Sequence, residues 1–408
     1  MVWILRVEPV PVLGNRVTQR VVIAGFGDTG VLVAIHLGRR FEVVGISAKP
    51  CLVSAQELGT RLTRPELWKN DYLMPFGRYE RLDDVRIVQG RIRSIDVEAQ
   101  SLTVERPGGE VHVEPYDALV ISSGVTNGFW RNDAVEDWAN IGAGIEQAAA
   151  EISRARRIAI VGGGATGVSV SANVKARYPE TDVHFFFTEA QPLPGYHPKA
   201  RDRIEAELES AGVVLHPQHR AIIPDGFDCD RMTSDPVEWS TGQPPFEADL
   251  VLWSVGRVRP NSSFVPADML EERGFVKTDE FLRVPGYDNV FAVGDVAASD
   301  PHRSSARNWG YRIVANNVRA MLEGKPTRMK RYEAPAYRWG SILGVQNDGL
   351  RVFQPNGGSF RFPLWAVRKL LFPIAVGKII YKGIRGAPGT DAPETLEPKS
   401  DRYAKQDD

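Results

Sequence analysis

The chain has 408 residues, of which 43% are hydrophobic and 25% charged, and its formal net charge is −1. This length suits two or three domains with their own cores. The near-neutral charge gives no basis for a nucleic-acid partner held by bulk electrostatics. The two cysteines, Cys51 and Cys229, are far apart, which excludes a disulfide framework or zinc ribbon and favours a reducing compartment. Residues 1–20 lack the pattern of a secretory signal, so we expect an N-terminal extension of a cytoplasmic protein.

The first predicted unit is a βαβ unit over residues 21–47. An apolar strand at 21–24 leads into the turn Gly25-Phe26-Gly27-Asp28-Thr29-Gly30, a helical pattern follows, and 41–46 form a second strand. This glycine spacing between a strand and a helix is typical of a turn that binds a pyrophosphate. An acid normally ends the second strand and binds a ribose, but Ser47 stands there. Serine can bond a ribose hydroxyl without the added strength of a charge.

The segment that follows alternates polar and apolar residues, which predicts antiparallel strands around a turn at Pro107-Gly108-Gly109. It ends in an apolar strand at 118–121.

A second βαβ unit occupies residues 156–187, with its glycine turn at 162–167. Two such turns, each in the required context, are much stronger evidence than one. The residue at the acid position is Phe187, and Glu189 lies two residues further on. Because no arginine stands there to meet a 2′-phosphate, the pattern favours NADH over NADPH, with NADPH left open.

The remaining predicted elements are short. Residues 248–261 and 284–298 each contain an apolar strand that ends in a glycine turn, and 303–322 form a helix. The Pro-rich, charged residues 387–408 predict a disordered tail. The scattered histidines give no spacing for a metal site.

These motifs together resemble the pyridine nucleotide-disulfide reductase superfamily. The nearest branch holds type II NADH dehydrogenases, ferroptosis-suppressor-like quinone reductases and apoptosis-inducing-factor-like flavoproteins. The resemblance covers residues 21 to about 325 and rests on the two glycine turns, "YDALVISSG" (116–124), "WSVGRVRPN" (253–261) and "NVFAVGDVA" (289–297). Five motifs in the family order are very improbable by chance.

The resemblance implies an α/β, glutathione-reductase-like fold with two Rossmann-like domains. Residues 21–125 and 255–330 would form an FAD domain, 126–254 an inserted NAD(P)H domain, and 331–386 a small α+β segment. FAD would be bound by Gly25, Gly27, Asp28, Thr29, Gly30, Ser47, Ser123, Gly124, Gly294 and Asp295. NADH, or NADPH, would be bound by Gly162, Gly164, Ala165, Thr166, Gly167, Glu189 and Gly256.

The family activity is hydride transfer from NAD(P)H to FAD and then to a small acceptor such as a quinone. Quinone-reducing NADH dehydrogenases carry an AQxAxQ pattern where this chain has Ser304, Ser305, Arg307 and Trp309, which puts quinone in doubt without excluding it. Trp309 would either flank the flavin or simply pack. One alternative is a disulfide or peroxide reductase that uses Cys51 as its redox thiol. The other is a weakly turning over, redox-responsive flavoprotein like apoptosis-inducing factor.

The C-terminal residues 361–386 combine large apolar side chains with lysines and arginines. Charges and Pro373 interrupt the apolar run, so the pattern excludes a transmembrane helix. It favours a segment that lies on an anionic membrane, on the inner face of the cytoplasmic membrane, or that contacts a hydrophobic partner. The alternative is a segment that covers its own core or builds a homodimer.

Overall fold

A computed structural model of the chain describes residues 19–54, 58–71, 73–128, 130–303 and 309–385. Strands and helices are numbered along the chain. Its first sheet consists of β1 (Arg20–Ala24), β2 (Glu42–Ser47), β5 (Val85–Gln89), β9 (Ala118–Ile121) and β16 (Val290–Ala292). All neighbouring pairs are parallel, in the order β5-β2-β1-β9-β16.

The second sheet is built in the same way. Its strands are β11 (Arg157–Val161), β12 (Asp182–Phe186), β13 (Val214–His216) and β14 (Leu250–Trp253), parallel in the order β13-β12-β11-β14. These four strands lie in sequence between β9 and β16. The last strand of the first sheet, β16, therefore follows the whole second sheet in the chain. The predicted α/β fold class with one Rossmann-like unit inserted in the other is thereby confirmed. The domain boundaries stay a prediction.

The helices pack against the parallel sheets or against one another. They are α1 (Asp28–Leu37), α2 (Leu58–Thr63), α3 (Pro65–Asp71), α4 (Trp138–Arg154), α5 (Ala165–Arg177), α6 (Pro198–Ser210) and α7 (Gly310–Leu322), with 3₁₀ turns at Gly38–Arg40, Phe76–Arg78, Glu80–Leu82, Ala267–Met269 and Pro326–Arg328. Helices α1 and α7 share the first core with alternate residues of β1, β2 and β9. Helix α7 begins at Gly310 and not at 303, because Trp309 has a φ of 64°, in the left-handed region.

Short antiparallel strands flank the first sheet. The predicted antiparallel segment forms β6 (Arg91–Asp96), β7 (Ser101–Glu105) and β8 (Val111–Pro115), with the turn at 107–109 between β7 and β8. Two small pairs are β3 (Cys51–Val53) with β4 (Leu73–Pro75), and β10 (Val125–Thr126) with β15 (Arg259–Pro260). The β10–β15 pair links the segment that follows β9 to the segment that follows β14.

The C-terminal segment is a small α+β unit, as expected. Strands β17 (Val345–Gln346), β18 (Gly349–Phe353) and β19 (Ser359–Phe362) precede α8 (Leu364–Ala366) and a π-helix, Val367–Ile380. The chain then returns to the first unit, where Ile384 bridges Tyr79 and Arg385 pairs with Asp83. Among the described helices, none combines the length and apolarity needed to cross a bilayer. The predicted tail and most of the N-terminal extension lie outside the described residues.

Candidate functional site

Both glycine turns open into one cavity of about 1170 Å³. This volume exceeds the roughly 300–1,000 Å³ of most small-molecule sites. The cavity lies at the carboxyl ends of the parallel strands, where α/β sheets bind ligands. The predicted residues that line it are Gly25, Gly27, Asp28, Thr29, Ser47, Cys51, Ser123, Gly124, Gly164, Ala165, Thr166, Gly256 and Asp295.

The three glycines of the first turn do not all serve the same purpose. Gly25 has a φ of +103°, and a Cβ on it would lie 2.3 Å from the Cα of Ser123. A Cβ on Gly30 would lie 2.3 Å from the carbonyl oxygen of Gly25, whereas a Cβ on Gly27 would meet no atom within 4 Å. The first and third glycines therefore let the backbone pack, and the second faces open space. Since Gly27 caps α1 without a side-chain hydrogen bond, the first N–H groups of α1 can bind a phosphate.

The second turn repeats this geometry. A Cβ on Gly162 would lie 2.3 Å from the carbonyl oxygen of Ser254, and one on Gly167 would lie 2.2 Å from that of Gly162. A Cβ on Gly164 would meet no atom within 4 Å, and Gly164 caps α5 without a side-chain bond. Both turns thus fit the pyrophosphate of a dinucleotide on backbone geometry alone.

Ser47, at the end of β2, is buried and bonded within its own turn. Its hydroxyl donates to the carbonyl oxygen of Lys49 (2.7 Å) and accepts from the Lys49 N–H (3.1 Å). The Lys49 ammonium in turn donates to Asn132 Oδ1 (2.9 Å) and the Ala134 carbonyl (2.7 Å), and pairs with the carboxylate of Glu136. The expected ribose contact of Ser47 therefore competes with a local bond. No sequence motif marks Glu136 as a ligand residue, because its segment carries none.

Asp295 follows β16 and lines the same cavity as the first turn. Its Oδ2 accepts a hydrogen bond from Nη1 of Arg131 at 2.7 Å, and both side chains are partly buried. The other guanidinium nitrogen, Nη2, lies 3.0 Å from the place a Cβ would take on Gly124. Gly294 has a φ of +88° and lies against Thr29. No sequence motif marks Arg131, because its partner Asp295 lies far away in the chain.

Cys51 reaches the cavity wall but is only 1% exposed. It packs in a small core with Trp68, Leu73 and Ile141. Burial raises the pKa of its thiol to about 12, with the nearby Lys49 opposing that shift. A thiol with this pKa is protonated near neutral pH, and the thiolate is the reactive form. Burial also raises the pKa of the Cys229 thiol.

Some predicted residues do not line the cavity. Gly30, Gly162 and Gly167 of the turns, and Gly294, permit close packing instead. Glu189 is exposed, and Trp309 is 41% exposed with its ring centroid 4.2 Å from the Arg312 guanidinium. Trp309 thus packs against a cation on the surface. The positions Ser304, Ser305 and Arg307 lie outside the described residues.

A family model matches most of the chain. Residues 19–324 match the pyridine nucleotide-disulphide oxidoreductase family. Ferroptosis suppressor protein 1 of Xenopus tropicalis is 27% identical over 366 residues, covering 84% of this chain and 91% of that protein. The FAD-dependent oxidoreductase FVFD30 of Flammulina velutipes is 24% identical over 273 residues, covering 65% and 81%.

Solved structures share the fold. The water-forming NADH oxidase from Lactobacillus brevis, bound to NADH, superposes with a TM-score of 0.58 at 18% identity, covering 82% of this chain and 74% of that one. The chain's cofactors are FAD and NAD(P)H, consistent with the two turns in one cavity. The chain belongs to the pyridine nucleotide-disulphide oxidoreductase family, as an FAD-dependent NAD(P)H oxidoreductase.

Proposed function

We propose that this chain takes a hydride from NADH and delivers the electrons, through FAD, to a small lipophilic acceptor of the quinone type. The observation that carries the proposal is that both pyrophosphate-binding turns open into one cavity, so that two dinucleotides can meet there. FAD, when bound, supplies hydride acceptance and electron delivery. The chain's own residues bind and orient the two dinucleotides and exclude water from between them.

We assign FAD to the first turn and the nicotinamide nucleotide to the second. Asp28 and Thr29 of the first turn line the cavity with Ser123, Gly124 and the Arg131–Asp295 pair. Ala165 and Thr166 of the second turn line it with Gly256. NADH is favoured over NADPH because an arginine that reaches the loop after β12 donates to the backbone of that loop. That residue, Arg201, donates to the carbonyl oxygens of Gln191 and Pro192.

The lipophilic acceptor is supported by the surface of the C-terminal segment. Between residues 365 and 379 five large apolar side chains are exposed, and Trp365 is the most exposed of them, at 62%. These side chains, with three exposed basic ones, form what we name the C-terminal surface: Trp365, Arg368, Lys369, Leu370, Phe372, Ile374, Lys378 and Ile379. No acidic residue occurs between Asp348 and Asp391. Apolar and basic groups together suit an anionic lipid surface, where lipophilic acceptors dissolve.

Anaerobic reduction of the purified protein tests the proposed electron transfer from NADH to a quinone. NADH should bleach the flavin absorbance within seconds, and a short-chain quinone should restore it faster than a disulfide, a peroxide or oxygen does. Restoration by a disulfide that Cys51→Ser abolishes would replace the proposal with the thiol mechanism. Slow restoration by every acceptor, with a change of oligomeric state on reduction, would replace it with the redox-responsive flavoprotein.

Vesicle binding tests the C-terminal surface. Co-sedimentation with anionic phosphatidylglycerol vesicles should exceed that with neutral phosphatidylcholine vesicles and should fall with salt. Trp365→Glu should reduce it severalfold, whereas Val111→Glu, at an equally exposed apolar position on β8, should not. Equal binding of both variants would contradict the membrane role, and a dimer that Trp365→Glu dissociates would assign the surface to self-association.

A further inference from the structure

The carboxyl end of β2 lacks the acidic residue that normally binds a ribose there. Ser47 takes that position, and its hydroxyl is bonded to the backbone of Lys49 on both its donor and acceptor sides. An acidic contact to the ribose of an FAD bound at the first turn would therefore have to come from another residue. The structure places one there from a distant segment.

Glu136 is held at the end of β2 by its backbone. Its N–H donates to the carbonyl oxygen of Ala48 (3.2 Å), the residue that directly follows β2. Its carbonyl oxygen accepts from Nε2 of Gln89 (3.0 Å), and Gln89 pairs with Ser47 where β5 ends. The main chain of Glu136 is thus tied to the ends of both strands.

The side chain of Glu136 is oriented by Lys49. An ammonium group has three donors, and that of Lys49 meets three acceptors: Asn132 Oδ1, the Ala134 carbonyl and Glu136 Oε2. Lys49 therefore has no N–H left for a ligand. Glu136 Oε1 accepts no hydrogen bond from the residues that the structure describes, and the side chain is 29% exposed on the cavity wall.

We propose that Glu136 replaces the missing ribose acid, accepting a hydrogen bond from a hydroxyl of the adenosine ribose of FAD through Oε1. Lys49 is its positioning residue, because it fixes Oε2 without offering a donor to the ligand. The inference rests on the proposed function, in which FAD lies at the first turn. It explains how the unit keeps a charge-assisted ribose contact although β2 ends in serine.

The test measures the Kd of the full chain for FAD and for an FAD analogue whose adenosine carries no 2′- or 3′-hydroxyl. Glu136→Gln should weaken FAD binding about tenfold, or about 1.4 kcal/mol, and leave binding of the analogue unchanged. Glu146→Gln is the matched control, since Glu146 also pairs with a lysine, Lys69, but does not line the cavity. It should change neither Kd.

Each other outcome identifies which proposal fails. If Glu136→Gln weakens FAD and the analogue equally, Glu136 acts only by packing its segment, and the inference is wrong. If Glu136→Gln binds FAD normally while Gly27→Ala binds it poorly, the inference is wrong and the FAD site stands. If Gly27→Ala also binds FAD normally, FAD does not lie at the first turn and the proposed function loses its site.

Discussion

The two glycine turns are built alike, but the strands that follow them end differently. In both units a Cβ on the first or third glycine would lie within 2.4 Å of a backbone atom, and the second glycine faces the cavity. At the end of β2 the chain has a polar turn, Ser47 to Lys49, bordered by Glu136. After β12 it has Phe187, which is 2% exposed in the core of the second unit. The glycine turn is determined by neighbouring residues. The side chains available to a ribose at the end of the next strand depend instead on segments that the fold brings there.

The largest expected effect separates the two turns by nucleotide. Gly30→Ala and Gly167→Ala each force a Cβ onto a carbonyl oxygen of their own turn. Gly30→Ala should lose FAD more than a hundredfold in affinity, and Gly167→Ala should keep FAD but lose reduction by NADH. Flavin content and anaerobic reduction rate measure this. Yellow Gly30→Ala protein, together with colourless Gly167→Ala protein, would reverse the assignment of the two turns.

The next comparison concerns the residue at the acid position. Phe187→Ala should lower the free energy of unfolding by about 3–5 kcal/mol, because it empties a core site. Ser47→Ala should cost about 1 kcal/mol, the value of a local hydrogen bond. Urea unfolding followed by far-UV circular dichroism measures both. Similar costs would show that the two positions are not as different as their burial indicates.

A smaller effect concerns the ion pair at the first turn. Arg131→Met should weaken FAD binding about tenfold, because a charge-assisted contact worth roughly 1.5 kcal/mol is lost near the pyrophosphate. Arg259→Met is the control, since Arg259 forms a comparable pair with Asp228 in an exposed position (2.8 Å). The Kd for FAD should not change in the control. Equal weakening in both variants would remove Arg131 from the FAD site.

The last comparison concerns the acid sensitivity of one histidine in each unit. Burial lowers the pKa of His36 and of His216 to about 4, from an unfolded value of 6.5. Below pH 6.5 the unfolded chain therefore binds protons that the folded chain does not, so stability falls as pH drops from 6.5 towards 4. Each histidine contributes at most about 1.4 kcal/mol per pH unit.

His36→Gln and His216→Gln should each flatten that dependence, measured as the urea midpoint at several pH values. At pH 7.5 both histidines are neutral in either state, so the pH slope of each variant there should match that of the original chain. An unchanged slope between pH 6.5 and 4 would show that neither histidine stays neutral on folding.

Much of the fold could be predicted from the sequence. The strand predicted at 21–24 is Arg20–Ala24, and the one at 41–46 is Glu42–Ser47, within one residue. The helix predicted from 303 begins at Gly310, because hydrophobic spacing does not reveal the left-handed backbone of Trp309. Local patterns report which residues face a core, but not where a tertiary contact bends the chain.

The sequence by itself determined the two glycine turns, their order and the family, because strand, turn and helix follow from neighbouring residues. Only the tertiary structure decided how the cavity is finished. Arg131 forms an ion pair with Asp295, and Glu136 bonds to the backbone after β2. Burial raises the pKa of the Cys51 thiol to about 12. Each of these depends on segments far apart in the chain, so no local sequence motif predicts it. Burial and charge pairing are properties of the folded packing.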